Sequence, residues 1–310
     1  MLPFLKKRDQ SGLNAVDVQA DAVCLTSIRR QGAERARLTL CECRPLPAGE
    51  EGKALAQLAS QHGLKRSHCT TVLHPDGYKL LLTEAPDVSA DELKAALRWR
   101  VKDLIDFHIN DATLDVFELP GAVSGAKARE MYVVAARNDA IQRRADLMEA
   151  AGIGLEVIDI PELAQRNLAA LLPEDAAGVA FLSLQATSGL ITVTRQGMLY
   201  LSRSLNLGLE TLRTAVDAGA YLEHIVLEVQ RSLDYFESHF REAPIRNLVL
   251  APLEAPVPGL LENLAANLNV TVGQMDIRQL LDSDVELPPA LQARCLAAIG
   301  AALRHEVKVL

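Results

Sequence analysis

The chain has 310 residues, of which 49% are apolar, 23% charged and 4% aromatic, and its 32 Lys+Arg against 40 Asp+Glu leave a net charge of −8. This is the composition of a folded protein of about two domains with a sizeable core. It argues against disorder, against a net positive field for nucleic acid, and, with a single Trp, against base-stacking platforms.

The first region reads as strands at 13–18, 22–28 and 36–43, the last alternating Leu38, Leu40 and Glu42 on one face. A helix fits 52–62, and strands fit 69–73 and 78–83 around the turn Pro75-Asp76-Gly77. Ser89-Ala90-Asp91-Glu92 is a capping-box pattern opening a helix through Phe107. Its expected apolar stripe is Leu93, Leu97, Val101, Leu104 and Ile105. Strands follow at 113–119 and 131–136 around a small-residue loop at 121–128, and Asn138 is the expected cap of the next helix. A strand at 155–160 leads to Pro161, which suits the first turn of a helix through Leu172.

Pro173 to Gly178 is the best boundary, because the strand pattern then restarts at 179–184, 189–194 and 198–205. A long helix fits 220–240, followed by a buried strand at 248–250, a helix at 260–268, a short strand at 270–272 and a last helix at 288–303. Each half opens with three strands, meets a helix and then alternates. The expectation is a duplicated mixed α/β protein with a cleft between halves: residues 1–173, carrying an inserted α+β subdomain at about 85–140, and residues 174–310, whose last helix is free to pack back on the first half.

Several strings give this layout a family likeness: Ala96-Leu97-Arg98-Trp99 leading to Leu104-Ile105-Asp106-Phe107, Val133-Val134-Ala135-Ala136-Arg137, Leu155-Glu156-Val157-Ile158-Asp159-Ile160, and Leu227-Glu228-Val229-Gln230-Arg231-Ser232-Leu233-Asp234-Tyr235. In order and spacing the chain resembles the type IV pilus assembly PilM-like family, and within it the branch serving mannose-sensitive haemagglutinin (MSHA) pili. The resemblance implies an actin-like (ribonuclease H-like) fold related to that of the cell-division protein FtsA. It also implies a scaffold role at the cytoplasmic face of the inner membrane, with the N-terminal cytoplasmic tail of a bitopic PilN-like protein as partner. The pilus assembly ATPase is a second candidate partner, and no nucleic acid is expected.

An actin-like ATPase needs two phosphate loops, each with a strand-end carboxylate for Mg²⁺ and a glycine that lets backbone N–H groups approach the phosphates. In the resembled families both loops read Asp-x-Gly. Here the first keeps Asp17 but has Gln19 at the glycine position, Cys24 where a basic residue is usual, and an added Asp21. The second reads Ser183-Leu184-Gln185, with Thr187 as a remaining donor. The adenosine segment runs into Pro252, which lacks an N–H. Three altered elements predict a degenerate nucleotide site, no catalysis and no required cofactor; the alternative is an active actin-like ATP-binding protein using Mg-ATP. A sugar or acetate kinase relative would need intact loops, and a secretion adaptor of the GspL cytoplasmic type is a near neighbour.

Cys41-x-Cys43 sets two thiols on one strand face, and Cys69 has His68, His62 and His74 nearby in sequence. No second Cys pair of metal-ligand spacing exists, so no metal is expected. The chain has neither a Gly-x-Ser-x-Gly elbow nor a glycine-rich cysteine motif, and His224 and His239 are expected to be solvated. The only Trp stands beside two Arg, and Arg98, Trp99, Lys102 and Phe107 form the candidate partner surface. Residues 1–8 are apolar then basic, too short for a leader and read as a frayed terminus. With no run near 20 apolar residues and five cysteines, the expected place is a reduced cytoplasm, peripheral to the inner membrane through partners.

Overall fold

Three antiparallel strands open the chain, β1 (Leu13–Val18), β2 (Ala22–Arg29) and β3 (Arg37–Pro45). Helix α1 (Glu51–Gln61) then returns the chain to β4 (His68–Val72), which lies parallel to β1. The computed structural model describes residues 13–30, 35–47, 49–65, 67–119, 130–215, 217–240 and 242–304. The terminus at 1–8 and the loop at 121–128 lie outside the described residues.

After β4 the chain leaves the sheet. Strand β5 (Tyr78–Glu84), helix α2 (Ala90–Val101), and strands β6 (Ala112–Glu118) and β7 (Glu130–Arg137) build a separate three-stranded sheet in the order β5-β7-β6. This sheet begins at Tyr78, so its first strand precedes the boundary expected at residue 85. Helix α3 (Asn138–Ala150), strand β8 (Gly154–Asp159) beside β4, and helix α4 (Pro161–Ala169) complete the first half.

The second half restarts with β9 (Val179–Leu184), β10 (Gly189–Arg195) and β11 (Met198–Leu205). All six residues of β9 are buried, as expected of a central strand covered on both faces. The turn between β10 and β11 puts Gln196 at φ 53° and Gly197 at φ 73°, the two left-handed residues of a tight hairpin. Then come α5 (Leu209–Thr214), α6 (Ala218–Phe240), β12 (Asn247–Leu250), α7 (Leu260–Asn267) and β13 (Thr271–Gln274). The sheet order is β11-β10-β9-β12-β13.

The last stretch crosses back. Helix α8 (Ile277–Leu280) leads to β14 (Asp282–Ser283), which pairs with β3 and completes a first sheet of order β14-β3-β2-β1-β4-β8. Helices α9 (Pro289–Arg294) and α10 (Leu296–Ala302) follow. Sequence periodicity anticipated one helix here. Cys295 leaves helical geometry, with φ −93° and ψ 8°, and this turns α10 into the space between the two large sheets.

Helices α4 and α10 therefore form a middle layer. One core contains Ala15, Cys24 and Ile28 of the first sheet, Leu168 and Ala169 of α4, Phe181 and Val249 of the second sheet, and Ile299 and Ala302 of α10. Helices α1 and α3 cover the outer face of the first sheet through Leu55, Leu58 and Met148. Helix α6 covers the second through Ile225, Val229 and Phe236.

Two local expectations change. Helix α2 stops at Val101 rather than Phe107, because Ile105, Phe107 and Ile109 fold back against the small sheet, which a straight helix would not allow. Leu104, expected on the buried stripe, is 56% exposed as a result. Asn138 lies inside α3 rather than capping it, and its side chain accepts a hydrogen bond from the Thr113 hydroxyl at 2.8 Å.

The two middle helices cross with almost no space between them. A Cβ on Gly300 would lie 2.2 Å from the Ala164 carbonyl oxygen, and the Asn167 amide donates to the Gly300 carbonyl at 2.9 Å. Backbone, not a flexible side chain, occupies the space. Gly300→Ala is expected to destabilise the fold by about 1–3 kcal/mol through forced separation of α4 and α10. Urea unfolding followed by circular dichroism checks this.

Candidate functional site: the cleft between the halves

The two segments expected as degenerate phosphate loops are the turns between β1 and β2 and between β9 and β10. In the first, Asp17 is buried at the strand end. Its carboxylate accepts a hydrogen bond from Gln19 Nε2 at 2.7 Å, and the same amide donates to the Arg294 carbonyl at 2.9 Å. Gln19 thus turns back into the protein and ties the loop to the end of α9. Burial pushes the Asp17 carboxyl above its ordinary value, with the Gln19 hydrogen bond offsetting part of that cost.

Arg294 spans the cleft. Its guanidinium donates to Asp21 of the first half at 2.8 Å and lies 3.4 Å from Glu254 of the second. Asp21, expected to add unfavourable negative charge, is instead balanced by this cation. Both ion pairs are partly exposed, so each contributes modestly to stability.

The second loop is also committed to the protein. The Ser183 hydroxyl donates to Gln165 Oε1 at 2.8 Å, and Gln165 Nε2 donates to the Phe181 carbonyl at 2.7 Å and the Thr192 hydroxyl at 3.0 Å. Ser183, expected to stand where a metal-orienting carboxylate is lost, is part of a buried hydrogen-bond network. Gln185 and Thr187 are exposed. The loop backbone is covered by the start of α5, where the Leu209 and Glu210 N–H groups donate to the Gln185 and Ala186 carbonyls at 2.8 and 2.9 Å. Gly208 makes this possible, since a Cβ there would lie 2.3 Å from the Ala186 carbonyl oxygen. Pro252 is buried just after β12, and the preceding Ala251 N–H donates to the Leu182 carbonyl at 2.8 Å.

The candidate partner surface divides. Trp99 is 74% exposed, with Lys102 Nζ 4.9 Å from its ring centroid. Arg98 points inward to the carbonyls of Ile109 and Ala112. Phe107 lies under the Arg137 guanidinium at 4.2 Å, and Arg137 pairs with Asp106. Trp99 and Lys102 are thus presented to solvent, while Arg98 and Phe107 hold the small sheet together. The exposed Leu104 follows α2 on the same subdomain.

The histidines and cysteines fall differently from expectation. His239 is half-buried rather than solvated. It lies 2.8 Å from the Glu130 carboxylate and stacks on Tyr235, joining α6 to β7. His62 lies 2.7 Å from Glu42, and His74 accepts from the Asp76 N–H. Cys69 packs on the outer face of the first sheet with α1 and α3, so Cys69 and these histidines do not converge. Cys41 and Cys43 do share a face, and there they meet Cys24 and Cys295. Cys24 and Cys43 sit at paired positions of β2 and β3, with Sγ atoms 2.8 Å apart. No sequence spacing could relate Cys295 to the other three.

Comparison with known proteins places this geometry. The PilM–PilN type IV pilus biogenesis complex contains a chain that matches with a TM-score of 0.75 at 20% identity, covering 96% of this chain and 98% of that one. The cytoplasmic domain of EpsL, an inner-membrane component of the type II secretion system of Vibrio cholerae, matches with a TM-score of 0.51 at 11% identity over 93% and 94% of the two chains. A Bacteroides thetaiotaomicron protein with an actin-like ATPase fold and unknown function matches with a TM-score of 0.50 at 9% identity over 91% and 96%. The chain has an actin-like fold. Residues 79–218 match the family model described as type IV pilus assembly protein PilM. No curated protein sequence matches the chain.

The buried Asp17 gives a pH prediction with a definite sign. Burial raises its folded pKa above the ordinary carboxylate value. The charged carboxylate therefore costs stability at neutral pH, and that cost is relieved as pH falls through the folded pKa. Asp17→Asn, which still offers an oxygen to Gln19, is expected to raise the urea midpoint at pH 7. The advantage over wild type should shrink toward pH 4. Paired urea titrations across that range measure the difference.

Proposed function

We propose that this protein is an actin-like adaptor of a type IV pilus machine, of the MSHA type, acting by binding rather than by chemistry. It holds the short N-terminal cytoplasmic tail of a bitopic, PilN-like inner-membrane protein, and so works at the membrane face through its partner. The pilus assembly ATPase is a second candidate contact. The observation that carries this reading is the likeness, along nearly the whole chain, to the protein solved within the PilM–PilN complex. Among the described residues no helix is long and apolar enough to cross a membrane. In this reading a membrane-anchored partner supplies the attachment.

The state of the cleft supports a pseudo-ATPase with no nucleotide cofactor. Asp17 is engaged by Gln19, the second loop offers Ser183 in place of a carboxylate, and Arg294 joins the two rims. Mg-ATP would have to break these contacts and desolvate an already buried carboxylate before gaining any of its own. The retained strand-end Asp17 is the one feature that favours the second reading, an active ATP-binding protein that gates assembly.

Trp99, Lys102 and Leu104 are the contact residues assigned to the tail. Exposed Trp beside a cation suits an interface anchor, since such residues dominate binding energy when desolvated. Millimolar Mg-ATP should leave the melting temperature unchanged and give no calorimetric heat; a clear rise in melting temperature would favour the ATPase reading. A synthetic tail peptide of the PilN-like protein should bind the wild-type chain, and Trp99→Ala should weaken it by about 2 kcal/mol or more, roughly thirtyfold. Unchanged peptide affinity in the folded variant would remove Trp99 from the interface.

A further inference from the structure

We propose that Cys24, Cys41, Cys43 and Cys295 form a thiolate site for a soft transition-metal ion, Zn²⁺ in the first instance, that fastens the carboxyl-terminal helices to the first sheet. Three of the five cysteines in the chain meet at this one place, and Cys41 packs beside them. They come from β2, from two positions on β3, and from the break between α9 and α10, about 250 residues further along the chain. The Sγ atoms of Cys24, Cys43 and Cys295 all lie within 4.8 Å of one another. Cys41 stands on the same face of β3 as Cys43 and packs in the same buried cluster as Cys24 and Cys295.

The spacing fits a metal. Four bonds of about 2.3 Å in a tetrahedron hold sulfurs about 3.8 Å apart. The cluster brackets that value, from 2.8 Å between Cys24 and Cys43 to the 4.8 Å limit for all three. A shift of about 1 Å, within the reach of side-chain rotation, would bring the sulfurs into place. Thiolate sulfur selects soft ions over Mg²⁺ or Ca²⁺.

The surroundings suit a charged site. Cys24, Cys41 and Cys295 are buried, while Cys43 is half-buried and provides a way in. Metal binding exchanges four S–H bonds for four metal–sulfur bonds and releases four protons to solvent, with no change of oxidation state. The resulting site carries two net negative charges. The Arg294 guanidinium lies beside Cys43, and Gln19, hydrogen-bonded to the Arg294 carbonyl, fixes that segment from the other side. Such outer contacts orient metal ligands.

A disulfide explains less. Joining Cys24 to Cys43 would link strands the sheet already links and leave Cys41 and Cys295 unused. A metal uses all four sulfurs and joins segments that no backbone ladder connects at this point.

The test uses the full chain, prepared reduced and without oxygen, stripped with a chelator and titrated with Co²⁺. The expected result is one Co²⁺ per chain, with sulfur-to-cobalt charge-transfer absorption and the intense visible bands of tetrahedral cobalt, bleached by Zn²⁺. Cys24→Ser and Cys295→Ser should each weaken binding more than tenfold, while Cys69→Ser should not. Should the serine variants fail to fold, the wild type still decides the matter: Zn²⁺ should protect four of five thiols from alkylation. Absence of the cobalt bands, equal alkylation with and without Zn²⁺, or a Cys24–Cys43 disulfide as the form that persists without oxygen would each overturn the proposal.

Discussion

Where α10 crosses α4, the carbonyl of Ala164 sits in the space that a side chain at residue 300 would need. That close approach lets two short helices fill the gap between two large sheets. The largest shared core, from Ala15 to Leu303, forms around it. The ion pairs across the cleft are partly exposed and weak individually. The small sheet adds a second brace, with Tyr132 donating to the Tyr200 carbonyl, His239 beside Glu130, and Tyr78 donating to buried Glu162 of α4. The result is a rigid frame that presents α2 and the small sheet.

The cleft follows from the same constraint. Because α10 enters between the sheets, the end of α9 is carried to the mouth of the first phosphate-type loop. Arg294 then meets Asp21 and Glu254, and its carbonyl meets Gln19. Gln19 ties this loop into the protein's own structure, since its amide also supplies a hydrogen bond to Asp17. Gln165 does the same for the second loop, where its amide satisfies Ser183, Thr192 and the Phe181 carbonyl at once.

Much of this was legible in the sequence, and the exceptions have physical causes. Strands β9 and β11 were placed to the residue, because continuous apolar runs bounded by turn residues leave little freedom. Asp17 and Ser183 fell near the ends of the strands expected at 13–18 and 179–184 for the same reason. Helix α5, helix α8 and strand β14 were missed, since segments of six, four and two residues are too short to show a period. The exposure of Trp99 was open and Leu104 was expected on the buried stripe, because helix periodicity cannot say where the chain folds back after Val101. The meeting of Cys295 with Cys24, Cys41 and Cys43 depends wholly on α10 returning to the first sheet, a tertiary event with no local signal.

That return also sets a schedule for synthesis. The first sheet receives its edge strand from residues 282–283, and its inner face is covered by residues 296–302. A nascent chain that has completed β1 to β8 therefore cannot bury Ala15, Ile28 and Leu38 fully until residues 296–302 have emerged. Contacts of such long sequence separation form slowly, and an uncovered apolar sheet is prone to association while it waits. The outer face can close early against α1 and α3, since all its parts lie within the first half. The molecule thus folds with one side finished and the other held open, and a ribosome that stalls before residue 296 leaves a half-covered sheet for chaperones to guard.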